Sequence, residues 1–221
     1  MKYHPWVIIS LTLCLLVGHT AAMAEAKPVT QASIKEMSPM ETVKYRIDQI
    51  VQVLNNPELA KPANREAQRN RIWEIALPMF DFAEISRRTV GPKWTSFTDA
   101  EKEHFIDLFT RFLGNTYIDK IQGEYHNEQF TYLKELIKEP QALVRTKLIR
   151  ESSQLPIDYR MKKEDGQWKV YDILVEEGVS LVQNYRVQFQ SVLQKEPPAK
   201  LIERLEEKVK EQQPLQRQPT Q

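Results

Sequence analysis

Catalysis by this chain would have to rest on two histidines, one serine and one aspartate. His104 and His126 stand among polar neighbours, while His4 and His19 fall in an N-terminal apolar segment with the single cysteine, Cys14. No His/Cys cluster of metal-ligand spacing results, and the two later histidines read as solvated. Ser180 lies in Gly178-Val179-Ser180-Leu181-Val182, which lacks the second glycine of a nucleophile elbow and suits a helix N-cap better. Asp172 closes Trp168-Lys169-Val170-Tyr171-Asp172; it is either a buried carboxylate with a shifted pKa or a structural cap or ion-pair partner. Gly91-Pro92-Lys93 is a helix stop rather than a phosphate cradle. Between residues 142 and 169 seven basic side chains (Arg145, Lys147, Arg150, Arg160, Lys162, Lys163, Lys169) face four acidic ones (Glu151, Asp158, Glu164, Asp165). That excess suits a solvated sheet face or a docking patch for a partner or an anionic headgroup.

Aromatics give a different lead. Phe82, Phe105, Phe109, Phe112, Tyr117, Tyr159, Trp168, Tyr171, Tyr185 and Phe189 come from separated segments, all on apolar stripes. Solid core and a cavity between sheet and helices need the same composition, so periodicity does not separate the two.

The elements that must position these residues follow from capping and period. Ser38-Pro39-Met40-Glu41 opens a helix with the stripe Val43, Ile47, Ile50, Val51, Leu54, and Asn55-Asn56-Pro57 ends it. A second helix runs from about Asn64 to Pro78, and a third from Phe80 to Val90. Thr98-Asp99-Ala100-Glu101 opens the longest, carrying Phe105, Leu108, Phe109, Phe112, Leu113, Thr116, Tyr117 and Ile121. After Gly123 the period changes to two. Phe130–Lys138, Ala142–Arg150, Leu155–Lys163 and Gln167–Val175 read as four strands, and their short connections favour an antiparallel meander. Helical spacing returns after Gly178 (Val179, Val182, Tyr185, Phe189, Val192) and again at Leu201, Ile202, Leu205 and Val209. The expected fold class is α+β: a curved four-stranded antiparallel sheet wrapped by helices.

Length and charge narrow the function classes. Of 221 residues, 31 are Lys or Arg and 30 Asp or Glu, for a net charge of +1, which excludes a polybasic nucleic-acid binder. Lys2 and His4, the apolar run Val7–Val17 and Ala22-Met23-Ala24 read as a secretory signal peptide, 1–24, with cleavage before Glu25. Residues 25–37 lack periodicity and are expected to be a flexible leader, 38–210 the folded domain, and 211–221 a disordered Gln/Pro-rich tail. The mature chain would hold no thiol, so its core alone must stabilise it.

These segments together resemble the MlaC family, also called the toluene-tolerance or ABC-transporter auxiliary family. The similarity covers roughly Met40 to Leu205. Its blocks are Phe80-Asp81-Phe82, Gly91-Pro92-Lys93-Trp94, the helix with Phe105, Phe109, Phe112 and Asn115-Thr116-Tyr117, then Trp168 to Asp172, and last Glu177-Gly178-Val179-Ser180-Leu181-Val182-Gln183-Asn184-Tyr185-Arg186-Val187-Gln188-Phe189. Each block alone is weak, but the ordered set is specific.

The resemblance implies a non-enzymatic phospholipid-binding shuttle of the Gram-negative periplasm, needing no cofactor and no metal. Its partners would be a diacyl phospholipid, the periplasmic lipid-binding subunit of an inner-membrane ABC transporter and an outer-membrane lipoprotein/porin complex, with outer-membrane lipid asymmetry as the outcome and no nucleic acid involved. Acyl chains would lie between sheet and helices. Residues on apolar stripes or at matching blocks are the expected lining: Phe82, Ile85, Leu108, Phe112, Tyr117, Val144, Ile157, Tyr159, Val170, Ile173, Val179 and Tyr185. The rival readings are a carrier for another lipid such as a hopanoid, an exported hydrolase using Asp172 or Ser180, and an adaptor whose aromatics form a dry core.

Overall fold

The computed structural model describes residues 31–151, 153–176 and 178–212. The expected signal peptide, the start of the leader and residues 213–221 of the tail lie outside them. Seven α-helices among the described residues flank one sheet: α1 Gln31–Glu36, α2 Pro39–Leu54, α3 Arg65–Ala76, α4 Phe82–Val90, α5 Asp99–Glu124, α6 Leu181–Leu193 and α7 Pro198–Glu211. The strands are β1 Gln129–Lys138, β2 Gln141–Ile149, β3 Gln154–Glu164, β4 Gln167–Val175 and β5 Val179–Ser180. They pair antiparallel in sequence order in an open sheet. The fold is α+β as expected, with a fifth strand of two residues added to the four read from the sequence. Helix α1 falls within the stretch read as a leader, and its Ile34 is buried.

Both capping boxes form. The Glu41 amide donates to Ser38 Oγ at 3.2 Å while the Ser38 amide donates to Glu41 Oε2 at 2.8 Å, and Thr98 and Glu101 repeat the arrangement at the start of α5. Each satisfies two amide groups that the first helical turn leaves without partners. At 26 residues, α5 is about 39 Å long, longer than any one packing partner.

That length lets its two halves do different things. The N-terminal half joins α4, α6 and α7 in an aromatic cluster: Phe105, Phe109, Tyr185 and Phe189 contact one another with ring centroids between 5.1 and 5.9 Å. A second cluster lies between α2 and the inner sheet face, where Val43, Val144, Met161 and Val170 are fully buried. A third, smaller one joins α2, α3 and α5 through Val53, Ile72, Ile75 and Ile118. The C-terminal half of α5 packs on α3 and crosses the sheet end that carries the start of β1 and the ends of β2 and β4.

The sheet bulges twice, between Tyr132 and Lys134 in β1 and near Arg160 and Met161 where β3 meets β4. In β4, Tyr171 joins the aromatic cluster while its neighbour Val170 packs in the sheet cluster, since successive strand residues face opposite sides.

Candidate functional site

Between the three clusters lies a cavity of about 420 Å³, within the usual range for a small-molecule site. Its walls come from helix faces and from the inner face of the sheet. Helix α2 contributes Ile47, Ile50, Val51 and Leu54; α3 contributes Ile72, Trp73 and Ala76; α5 contributes Leu113, Tyr117, Ile118 and Ile121. Opposite them stand Phe130, Leu148, Tyr159, Val170 and Ile173. The deep end is closed by Ile72, Met79, Ile85, Ile118 and Val170, all buried. The open end also carries large apolar side chains: Tyr117 and Ile121 on α5 are 36% exposed, Val175 37% and Val179 54%. Large apolar side chains left in water around one opening mark a surface used for contact.

The phenols of Tyr117, Tyr159 and Tyr185 stay uncharged. Burial pushes the Tyr159 hydroxyl above the usual phenol range, and burial does the same to Tyr117 and Tyr185, whose side chains interact with each other. Five charged side chains join the wall: buried Asp172 beside Ser180 and Asn184, and Lys120, Glu124, Glu128 and Arg150 from the end of α5 and the strand ends next to it.

Phe82, Ile85, Tyr117, Tyr159, Val170, Ile173 and Val179, all expected on the lining, stand on the cavity wall. The other expected lining residues do not. Leu108, Phe112 and Tyr185 belong to the aromatic cluster, because they project from the N-terminal half of α5 and from α6 toward one another; Phe112 and Tyr185 meet edge to face at 5.9 Å. Val144 is fully buried between α2 and the sheet, and Ile157 packs at the margin of that same cluster. The α2 and α3 wall escaped the sequence reading. Ile47, Ile50, Val51 and Leu54 have an ordinary core spacing, and nothing in that spacing says that space lies opposite.

A sequence profile described as MlaC protein matches residues 44–207. The chain belongs to the MlaC family. A solved structure similar to this MlaC-family chain is that of the phospholipid-binding protein from Ralstonia solanacearum in complex with a phospholipid. It is 23% identical, with a TM-score of 0.70 over 79% of this chain and 98% of that one, so the likeness carries the fold. No curated protein sequence matches significantly.

In this MlaC-family chain the Ser180 and Asp172 pair is a structural joint. Asp172 Oδ2 accepts from the Ser180 hydroxyl at 2.7 Å and from Arg160 Nη1 at 3.1 Å, and its Oδ1 accepts from the Val182 amide at 3.1 Å. Ser180 Oγ in turn accepts from the Gln183 amide at 3.0 Å, the N-cap role expected of it. His104 bonds to Glu206, and His126 Nδ1 lies 2.8 Å from the Glu124 carbonyl oxygen, so neither imidazole joins the pair. On the far wall, buried Arg69 of α3 is held by Asp119 and by Asn115 Oδ1 at 2.9 Å, fixing α3 against α5. Among the described residues no three His, Cys, Asp or Glu side chains are grouped to hold a metal ion. No helix there is long and apolar enough to cross a membrane.

Proposed function

We propose that this MlaC-family protein is a non-enzymatic carrier of diacyl phospholipid. The observation that carries this reading is the largely apolar cavity, with large apolar side chains left exposed around its opening. The phospholipid held by the similar Ralstonia solanacearum protein supports it. So does the Asp172 carboxylate, which is spent on Arg160, Ser180 and the Val182 amide and has no imidazole through which to activate a nucleophile.

Such a carrier answers a solubility problem. At about 0.8 kcal/mol per buried methylene, two chains of roughly 30 methylenes in total would cost on the order of 25 kcal/mol in water. An apolar cavity recovers the part of this that belongs to the hydrocarbon it encloses, and differential contacts with partners set the direction of transfer. Residues 1–24 direct export and are removed, and the remainder works in the periplasm. There it shuttles lipid between the lipid-binding subunit of an inner-membrane ABC transporter and an outer-membrane lipoprotein/porin complex, maintaining lipid asymmetry of the outer membrane.

The test is direct. The mature protein is purified, extracted with organic solvent and analysed by mass spectrometry, with uptake from phospholipid vesicles measured in parallel. Co-purified diacyl phospholipid and vesicle uptake are expected. Absence of both, or a polycyclic lipid such as a hopanoid in their place, would overturn the assignment.

A further inference from the structure

Apart from Asp172, whose oxygens are taken by Arg160, Ser180 and the Val182 amide, the charged side chains of the cavity wall stand together where three segments bring two cations and two carboxylates to its rim. Lys120 and Glu124 stand one turn apart near the end of α5, Glu128 immediately precedes β1, and Arg150 immediately follows β2. Their positions are not equivalent. Glu128 is buried and both its oxygens are used: Oε2 accepts from the His126 amide at 2.6 Å and Oε1 lies 3.3 Å from Arg150 Nε. It therefore anchors Arg150 by one edge of the guanidinium and leaves the other edge turned to the mouth. That edge has only a long contact, 3.8 Å from Nη2 to Glu124 Oε2, and the Glu124 side chain is 63% exposed. A solvated contact of that length contributes little and is easily exchanged.

Lys120 has the spacing to pair with Glu124 but forms no ion pair among the described residues. Its ammonium instead lies 5.8 Å from the centre of the Tyr117 ring, on the cavity rim.

Building on the carrier reading above, we propose that Lys120 and the free edge of Arg150 bind the phosphate of the lipid headgroup, while Glu124, released from Arg150, receives a headgroup ammonium. The local charge sums to zero, as does that of a zwitterionic phosphoethanolamine headgroup, and each end of such a group meets its opposite. A neutral diacylglycerol brings no anion to Lys120 or to the free edge of Arg150. A phosphoglycerol headgroup satisfies the cations and leaves Glu124 unpartnered beside added negative charge. The acyl cavity supplies affinity, and the rim supplies choice of headgroup and orients the lipid with its phosphate outward.

The test uses the mature full-length protein and vesicles holding equal amounts of phosphatidylethanolamine, phosphatidylglycerol and diacylglycerol with identical acyl chains, with the lipid taken up counted by mass spectrometry. The wild type is expected to favour phosphatidylethanolamine over diacylglycerol by about threefold, the scale of one or two exposed charge contacts. Lys120→Glu is expected to abolish that preference, and Glu124→Lys to turn it toward phosphatidylglycerol. Both positions are exposed on the end of a helix, so folding is unaffected, which circular dichroism checks. Identical headgroup ratios in all three proteins would overturn the rim assignment while leaving the carrier reading standing. No uptake of any diacyl lipid by the wild type would remove both. Equally firm retention of glycerophosphoethanolamine without chains would make the rim an independent phosphodiester site and overturn its dependence on the cavity.

Discussion

Ser180 donates its hydroxyl proton to Asp172 across 2.7 Å, and through that contact the first turn of α6 is fastened to β4 at the edge of the cavity. The same carboxylate holds the Val182 amide and Arg160. Asp172→Ala is expected to leave these donors without a partner and to cost about 2–4 kcal/mol. Ser180→Ala removes one helix cap and should cost about 1 kcal/mol. Urea unfolding midpoints measure both. Lipid content per folded Ser180→Ala molecule should remain that of the wild type, a result that a catalytic serine working on the bound lipid would not give.

Filling the cavity and filling the core should give opposite signatures. Ile173 lines the cavity and is only partly buried, so Ile173→Trp is expected to place its indole in open space and block lipid uptake with little change in stability. Val144 is fully buried under α2, so Val144→Trp overpacks the sheet cluster and should destabilise the fold by about 1–3 kcal/mol or more. Vesicle uptake and thermal melting, measured on the same pair of variants, separate the two outcomes.

Arg69 is a third point of leverage. Its guanidinium is buried and holds Asn115 and Asp119, so it sets the distance between two cavity walls. Arg69→Ala should destabilise by about 1–3 kcal/mol because it leaves the buried Asn115 without this partner and Asp119 without its cation. Lowered lipid occupancy in the surviving folded fraction is expected, as measured by mass spectrometry after gel filtration.

Acid stability carries the signature of the Glu84 carboxylate. Hydrogen bonding to Arg87, offset in part by burial and reinforced by Arg88, lowers the Glu84 pKa from 4.5 to about 2. Because the folded value is depressed, the stabilisation is present above about pH 4.5 and is lost as the pH falls toward about 2. With Arg87 largely in solvent the contribution is about 1 kcal/mol. Glu84→Gln should flatten the slope of unfolding free energy against pH in that window and leave the slope above it unchanged.

Much of the architecture was legible because its signals are local. The two capping boxes, the switch to period two after Gly123 and the return of helical spacing after Gly178 each depend on neighbours in the chain, and each corresponds to an observed element. Strand β5 has two residues and therefore no period to read. The cavity was less legible, since an apolar stripe records only that a face avoids water. Phe112 and Tyr117 sit on one continuous pattern, yet the former packs on Tyr185 and the latter stands at the mouth. The difference arises because α5 outruns its helical partners, a property of the assembled helices that no window of sequence contains. The same holds for Val144 and Leu148, which share an inner strand face but meet α2 in one case and open space in the other.

The bulge in β1 has a bearing on how the molecule survives at high concentration. This strand forms one border of the sheet and leaves Leu133, Leu136 and Ile137 largely uncovered, a combination that invites cross-molecular strand addition and fibrous aggregation. The kink between Tyr132 and Lys134 breaks the straight row of amides and carbonyls just where that greasy border would be most adhesive, and Lys134 and Lys138 add charge repulsion between copies. The irregularity therefore acts as a guard on colloidal solubility, allowing a sticky margin to persist without the chains templating one another.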